Sequence, residues 1–240
     1  MLILIDKKMP AAAKQKLAAY GERVEFSTEG ITYEAISGHP DIFFCPTPAG
    51  LLVAPNLPEK YFAILKQNSI PYTIGQKPVG RSYPETAPYN SLVSEKYIIQ
   101  NKEISDPGIK NMNPDSEIIH VRQGYVRCNL VSLPGNLFIT SDRGIEKSLH
   151  HRQLETLYVD PSCVRLDGFE HGFFGGACGM LEDTLFICGS LNYVREKENI
   201  EAFCLRAGVR ISELYDGQLF DAGSIVFLNK PGTSAPLSAL

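Results

Sequence analysis

The chain has 240 residues, 44% of them hydrophobic and 21% charged, with a formal net charge of −4. That balance fits a soluble globular protein large enough to build a full core. With no basic block it argues against a nucleic-acid partner, and with apolar runs of only a few residues it argues against a membrane-spanning helix.

The opening, "MLILIDKKMPAAAKQKLAAYGERVEFS", predicts strand, polar break, helix, strand. Its charge follows the apolar run, the reverse of an export signal, so a cytoplasmic location with reduced thiols is expected. "DIFFCPTPAGLLVAPN" then reads as strand, turn, strand, "LPEKYFAILKQN" as a helix with Pro58 near its start, and "IPYTIG" as a strand. From Asn90, "NSLVSEKYIIQN" repeats the hairpin, and "PGIKNMNPDSEIIHV" supplies at most a short helical piece and a strand. From Asn129, two strands flank a Pro-Gly-Asn turn, a helix capped by Ser141 or Asp142 follows, and "TLYVD" is the third strand. "ACGMLEDTLFICGS" is a hairpin around a Glu-Asp turn, "NIEAFCLRAG" a helix stopping at Gly208, and "VRISELYD" a closing strand. "FDAGSIVFLN" is a lone strand, and the tail "KPGTSAPLSAL" reads as loose.

These segments form five units of roughly 45 residues, a period typical of repeat architectures. The opening segment lacks a first strand and the closing segment supplies one, so the two complete a single unit. A shared split unit argues for a closed ring, because a solenoid needs two distinct caps. The expected fold is therefore α/β: one domain over residues 1–240, a five-bladed α/β propeller of ββαβ repeats with pseudo-five-fold symmetry and one blade closed by both termini.

The units align on a polar or small residue at the start of the first strand: Asp41, Asn90, Asn129, Gly176 and Asp221. A ring brings such positions together at its axis, and polar groups there predict a wet funnel. The competing reading is that Asn and Asp only mark turns before strands. Arg127 shares a strand face with Asn129 in this register and either binds a carboxylate or pairs with Asp41 or Asp221. Six cysteines stand at 45, 128, 163, 178, 188 and 204, with no CxxC pair, and His150 and His151 are adjacent. Neither pattern makes a metal site, so no metal and no cofactor are expected.

"GFFGGACGMLEDTLFICGSL" sets Cys178 in a glycine run, shortly after Glu170 and His171. In one reading Cys178 is a thiolate nucleophile, with His171 as base, Glu170 as anchor and Arg127 lowering the thiol pKa. In the other, Cys178 is a small core residue on the same strand face as Gly176. The Gly175-Gly176 pair either admits a ligand to the backbone or marks a bulge.

The five units, the split unit and the stretches "GYVRCNLVSLPGNLFITSDRGI", "GFFGGACGMLEDTLFICG" and "DAGSIVFLN" resemble the pentein, or guanidino-group-modifying (GME), fold. They are most similar to an uncharacterised bacterial family of that fold. The resemblance implies a range of functions: arginine deiminases, dimethylarginine dimethylaminohydrolases, amidinotransferases and non-catalytic ribosome anti-association factors. The hydrolytic members carry a nucleophilic Cys in the last first-strand, after an Asp-Gly-Gly-like segment. Here Asp221-Ala222-Gly223-Ser224-Ile225-Val226-Phe227 holds none. His171 stands several residues ahead of the family's strand-opening His, so deiminase chemistry of the usual kind is not expected.

The resemblance thus implies a protein that binds a small polar, guanidino- or amino-acid-like molecule in the axial funnel, as a monomer or homodimer. If it is an enzyme, it is a hydrolase or transferase at an amidine-type carbon–nitrogen bond. Cys178 and His171 would be catalytic, and Asp41, Asn90, Arg127, Asn129, Glu170, Gly176 and Asp221 would bind the ligand. The alternative is a non-enzymatic interaction protein on the same scaffold.

Overall fold

A computed structural model describes residues 1–230, so all but the first residue of the tail from Lys230 lies outside the described residues. The chain opens with β1 (Leu2–Asp6), α1 (Ala11–Leu17) and β2 (Glu22–Phe26). Then come β3 (Phe44–Thr47), β4 (Gly50–Val53), α2 (Glu59–Gln67) and β5 (Tyr72–Ile74), followed by β6 (Leu92–Val93), β7 (Tyr97–Gln100), α3 (Pro107–Met112) and β8 (Glu117–His120). The middle of the chain forms α4 (Val126–Asn129), β9 (Leu130–Leu133), β10 (Leu137–Thr140), α5 (Arg143–His150), β11 (Thr156–Tyr158) and β12 (Val164–Arg165). The rest forms β13 (Cys178–Leu181), β14 (Thr184–Ile187), α6 (Lys197–Arg206), β15 (Arg210–Glu213), β16 (Leu219–Phe220) and β17 (Val226–Leu228).

The result is a mixed α/β fold of small sheets, none closed into a barrel among the described residues. Three-stranded sheets β3-β4-β5, β6-β7-β8, β9-β10-β11 and β13-β14-β15 each join an antiparallel hairpin to a third, parallel strand. A parallel neighbour cannot be reached by a tight turn, and a helix supplies the crossover each time. The sheet β17-β1-β2 has the same pattern assembled from distant segments, with Leu2 opposite Leu228 and Leu4 opposite Val226. Val226, in the strand that lacks a cysteine, is a buried partner of the opening strand. A two-stranded parallel sheet, β12-β16, was not foreshadowed by the repeat.

Several local expectations are met. The Asp142 side chain caps α5 by accepting from Ile145 N at 2.8 Å. Gly208 ends α6 at φ +71°, a conformation that side chains disfavour. Apolar clusters fill the space between neighbouring sheets. In one, Leu92, Ile99 and Ile119 meet Leu130, Phe138 and Ile145. Among the described residues no helix is long and apolar enough to cross a membrane.

One expectation needs correction. Asp41, Asn90, Asn129, Gly176 and Asp221 do not open the first strands; all five precede them. Asp41 lies in the tight turn Pro40–Ile42, Gly176 in the turn Gly175–Ala177, Asn129 at the end of α4, and Asn90 and Asp221 in loops. Arg127 and Asn129 therefore share no strand face, and neither do Gly176 and Cys178. The physical reason is hydrogen bonding: a turn lets these groups and the neighbouring backbone satisfy one another, which an extended strand would commit to its ladder.

Candidate functional site

Two of the turns that precede the first strands of the sheets pack against neighbouring elements. α4 lies against the Gly175–Ala177 turn, and β1 against the Pro40–Ile42 turn. Between them sits a buried polar centre. Asp41 is fully buried, and its Oδ2 accepts from Ser224 Oγ at 2.8 Å and from Cys128 Sγ at 3.0 Å. Asn90 clamps the same cysteine, accepting from Cys128 N at 3.1 Å through Oδ1 and placing Nδ2 3.1 Å from Sγ. Asp221 is held by Phe173 N at 2.9 Å and Gly223 N at 3.0 Å. His39 stands between two carboxylates, its Nε2 3.7 Å from Asp6 Oδ2 and its Nδ1 3.9 Å from Asp221 Oδ1. Both ring nitrogens, Asp41 Oδ1 and Asp6 Oδ2 have no hydrogen-bond partner among the described residues.

Glycines make this density possible. A Cβ on Gly176 would meet Asp221 Oδ1 at 2.0 Å, and one on Gly175 would meet Arg127 O at 2.4 Å. Gly223, at φ +60°, passes so close to His39 that a Cβ would lie 2.2 Å from the histidine's own Cβ. The glycine pair is thus a close-approach device, but the groups it admits belong to the chain itself: the Asp221 carboxylate at Gly176 and the backbone of Arg127, Cys128 and Leu130 at Gly175.

A cavity of about 110 Å³ opens onto this centre, with His39, Cys128 and Asp221 on its inner wall and Tyr33, Tyr125, Phe169, His171 and Phe173 around it. Tyr33 and Tyr125 join hydroxyls at 3.3 Å, and Tyr125 reaches Thr86 Oγ1 at 2.5 Å. Burial pushes the Cys128 thiol well above its ordinary range, and the Asp41 and Asp221 carboxylates push it further. Burial also raises Asp221, with Asp41 adding to the effect and His39 opposing it. Asp6 is raised by burial against the pull of His39.

The sequence-predicted residues divide sharply. Asp221 and His171 line the cavity, His171 half-buried with Nδ1 2.9 Å from Gly172 O. Asp41 and Asn90 hold Cys128 from behind. Asn129 braces α4, donating to Tyr125 O at 2.8 Å and accepting from Ser141 Oγ at 3.0 Å. Glu170 is exposed. Cys178 does not line the cavity with His171. It is buried among Phe174, Leu185 and Ile187, and burial first, then neighbouring thiols, keeps it protonated. Arg127 makes no ion pair with Asp41 or Asp221 among the described residues; it lines a separate small recess with Cys178, and its charge acts on Cys45. Sequence reasoning missed His39, Cys128, Asp6 and Ser224. The available signal was adjacency: His39 is two residues before Asp41, and Cys128 immediately precedes Asn129.

A family described as a family of unknown function, DUF6873, matches residues 4–226. The chain belongs to that family. No curated protein matches this DUF6873 member. Its fold, however, has solved counterparts among pentein-fold enzymes. SxtG, an amidinotransferase from Microseira wollei in the saxitoxin biosynthetic pathway, aligns with TM-score 0.53 and 12% identity over 93% of this chain and 82% of that one. DDAH from Pseudomonas aeruginosa, complexed with citrulline, aligns with TM-score 0.50 and 8% identity over 84% and 79%. Agmatine deiminase from C. jejuni aligns with TM-score 0.48 and 10% identity over 69% of this chain, which spans only 60% of that enzyme. The likeness to the amidinotransferase and to DDAH establishes the pentein fold for this DUF6873 protein, and at such identities it carries no activity with it.

Proposed function

We propose that the cavity binds a small cation of the amidine or guanidine class and that Cys128 attacks its central carbon. The observation that carries this reading is the charge of the buried centre. Asp6, Asp41 and Asp221 face one histidine and one thiol, and no Lys or Arg pairs with Asp41 or Asp221 among the described residues. Buried carboxylates without countercharge are costly, and a flat cation between aromatic walls offsets that cost. A positive charge about 4 Å from the sulfur is worth about 4 kcal/mol at the effective dielectric of a protein site. That favours the thiolate by roughly a thousandfold, so the ligand itself would activate the nucleophile.

In the reaction the Cys128 proton passes to Asp41 Oδ2, its present hydrogen-bond partner. Sulfur bonds to the amidine carbon, and the C=N π pair moves onto the cationic nitrogen. Collapse of that tetrahedral adduct breaks one C–N bond, and the departing amine takes a proton from His39. Water or an amine then attacks the S-bound carbon with His39 accepting its proton, and collapse of this second adduct breaks the C–S bond, releases product and lets the Cys128 sulfur take its proton back from Asp41. Water makes the protein a hydrolase and an amine makes it a transferase.

The same reading treats the five three-stranded sheets as five blades of an α/β propeller with pseudo-five-fold symmetry, the site lying on its axis. The repeated hairpin-plus-parallel pattern and the sheet shared by β1, β2 and β17 support it.

Thermal melts with agmatine, arginine and methylguanidine test the binding; a ligand at a hundred times its Kd adds about 2.7 kcal/mol. Chloroacetamidine, an amidine with a leaving group, should label Cys128, as located by peptide mass spectrometry. No thermal shift with any of the three compounds, or labelling confined to other cysteines, would sink the proposal.

A further inference from the structure

The buried centre holds three groups of different chemistry whose donor atoms all lie within 4.8 Å of one another: an imidazole nitrogen of His39, a carboxylate oxygen of Asp41 and Cys128 Sγ. They come from two separate turns and are all buried. The second, independent observation is that both His39 nitrogens and Asp41 Oδ1 are buried with no hydrogen-bond partner among the described residues. His39, at 1% exposure, lines the cavity together with Cys128, so an ion has a path to both.

We infer that His39, Asp41 and Cys128 form a binding site for a zinc-class divalent ion, whose occupancy blocks the thiol. Nitrogen, oxygen and thiolate sulfur together suit zinc and cobalt and are poorly suited to magnesium or calcium, which prefer oxygen alone. A tetrahedral zinc ion holds its ligand atoms about 3.3–3.8 Å apart, so the trio closes by side-chain movements of about 1 Å. The remaining position goes to water or to Asp221, whose Oδ1 stands 3.9 Å from His39 Nδ1. Asn90 supplies the supporting layer that holds the sulfur in place, with Nδ2 3.1 Å from Sγ. On binding, the Cys128 proton that now bridges to Asp41 is released to solvent and the Sγ lone pair is donated to the metal, so affinity rises with pH. Because the ion sits on the sulfur, it competes with any electrophile that reaches Cys128.

The test is titration of the full-length protein with cobalt(II), followed by zinc in competition with a chromophoric chelator. The expected results are one ion per chain and a near-ultraviolet sulfur-to-cobalt charge-transfer band. Cys128→Ser should abolish the band, and His39→Gln should weaken zinc binding by at least roughly 100-fold. Cys163→Ser, which alters the one cysteine that is not buried, should change neither. No charge-transfer band in the folded wild-type protein overturns the inference, as does a band that survives Cys128→Ser. If that variant does not melt cooperatively, X-ray absorption at the zinc edge of the loaded wild-type protein decides. A single sulfur among nitrogen and oxygen ligands supports the site, and a shell with no sulfur or with several overturns it. A protein that binds cobalt through Cys128 yet ignores every amidine would keep this inference and lose only the preceding one.

Discussion

Cys128 and Cys178 are both buried, both precede or open the first strand of a sheet, and both have thiols held in the neutral form, yet their surroundings share little. Around Cys178 are Phe174, Leu185 and Ile187, and the thiol fills space. Around Cys128 are Asp41, Asn90 and the cavity shared with His39 and Asp221. Burial raises the pKa of each thiol, so the shift alone says nothing about reactivity. What separates them is the carboxylate acceptor beside Cys128 and the cavity of about 110 Å³ that it shares with His39, against a recess of about 20 Å³ at Cys178.

The largest expected effect comes from forcing the polar centre apart. Gly223→Ala combines a left-handed backbone with a collision against His39. It should cost about 3 kcal/mol or more, measured by urea unfolding, while leaving the Cys178 cluster untouched. A loss below about 1 kcal/mol would show that His39 is loosely held.

The cysteines themselves should respond in opposite ways. Cys178→Ser places a hydroxyl in an apolar cluster and should cost about 1–3 kcal/mol without affecting chloroacetamidine labelling. Cys128→Ser keeps Asp41 and Asn90 as partners and should cost less than about 1 kcal/mol, while abolishing labelling at that site. Equal stability losses in the two variants would erase the distinction drawn here.

The smallest effect is a pH-dependent gain. The Asp6 carboxyl is raised above its ordinary value by burial. The folded state therefore holds that proton more tightly than the unfolded one, and stability is lost as pH rises through the window above 3.8. Asp6→Asn retains an oxygen for Lys8 N, which bonds Oδ1 in the wild type, and removes the charge. It should raise stability by about 1 kcal/mol near pH 7, with the gain vanishing near pH 4. Thermal melts at both pH values check this, and a gain that grows on acidification would contradict the sign.

Hydrophobic alternation, turn residues and helix stops are local signals. From them the sequence by itself determined the strand–strand–helix–strand units, the cap at Asp142, the stop at Gly208, and the sharing of one sheet by the chain's opening strands and its last described strand. It also marked Asp41, Asn90 and Asp221 as a set, because repetition exposes equivalent positions without any knowledge of distance. Only the tertiary structure decided which cysteine faces the acids. Cys128 and Asp41 are 87 residues apart and Ser224 and Asp41 are 183 apart. Whether they meet depends on the direction in which a side chain leaves a one-turn helix or tight turn. A strand register predicts alternation, and by that rule Cys128 pointed away from Asn129 while Cys178 joined Gly176. Coiling four residues, Val126–Asn129, into a helical turn changes those directions, because successive side chains rotate by about 100° instead of alternating.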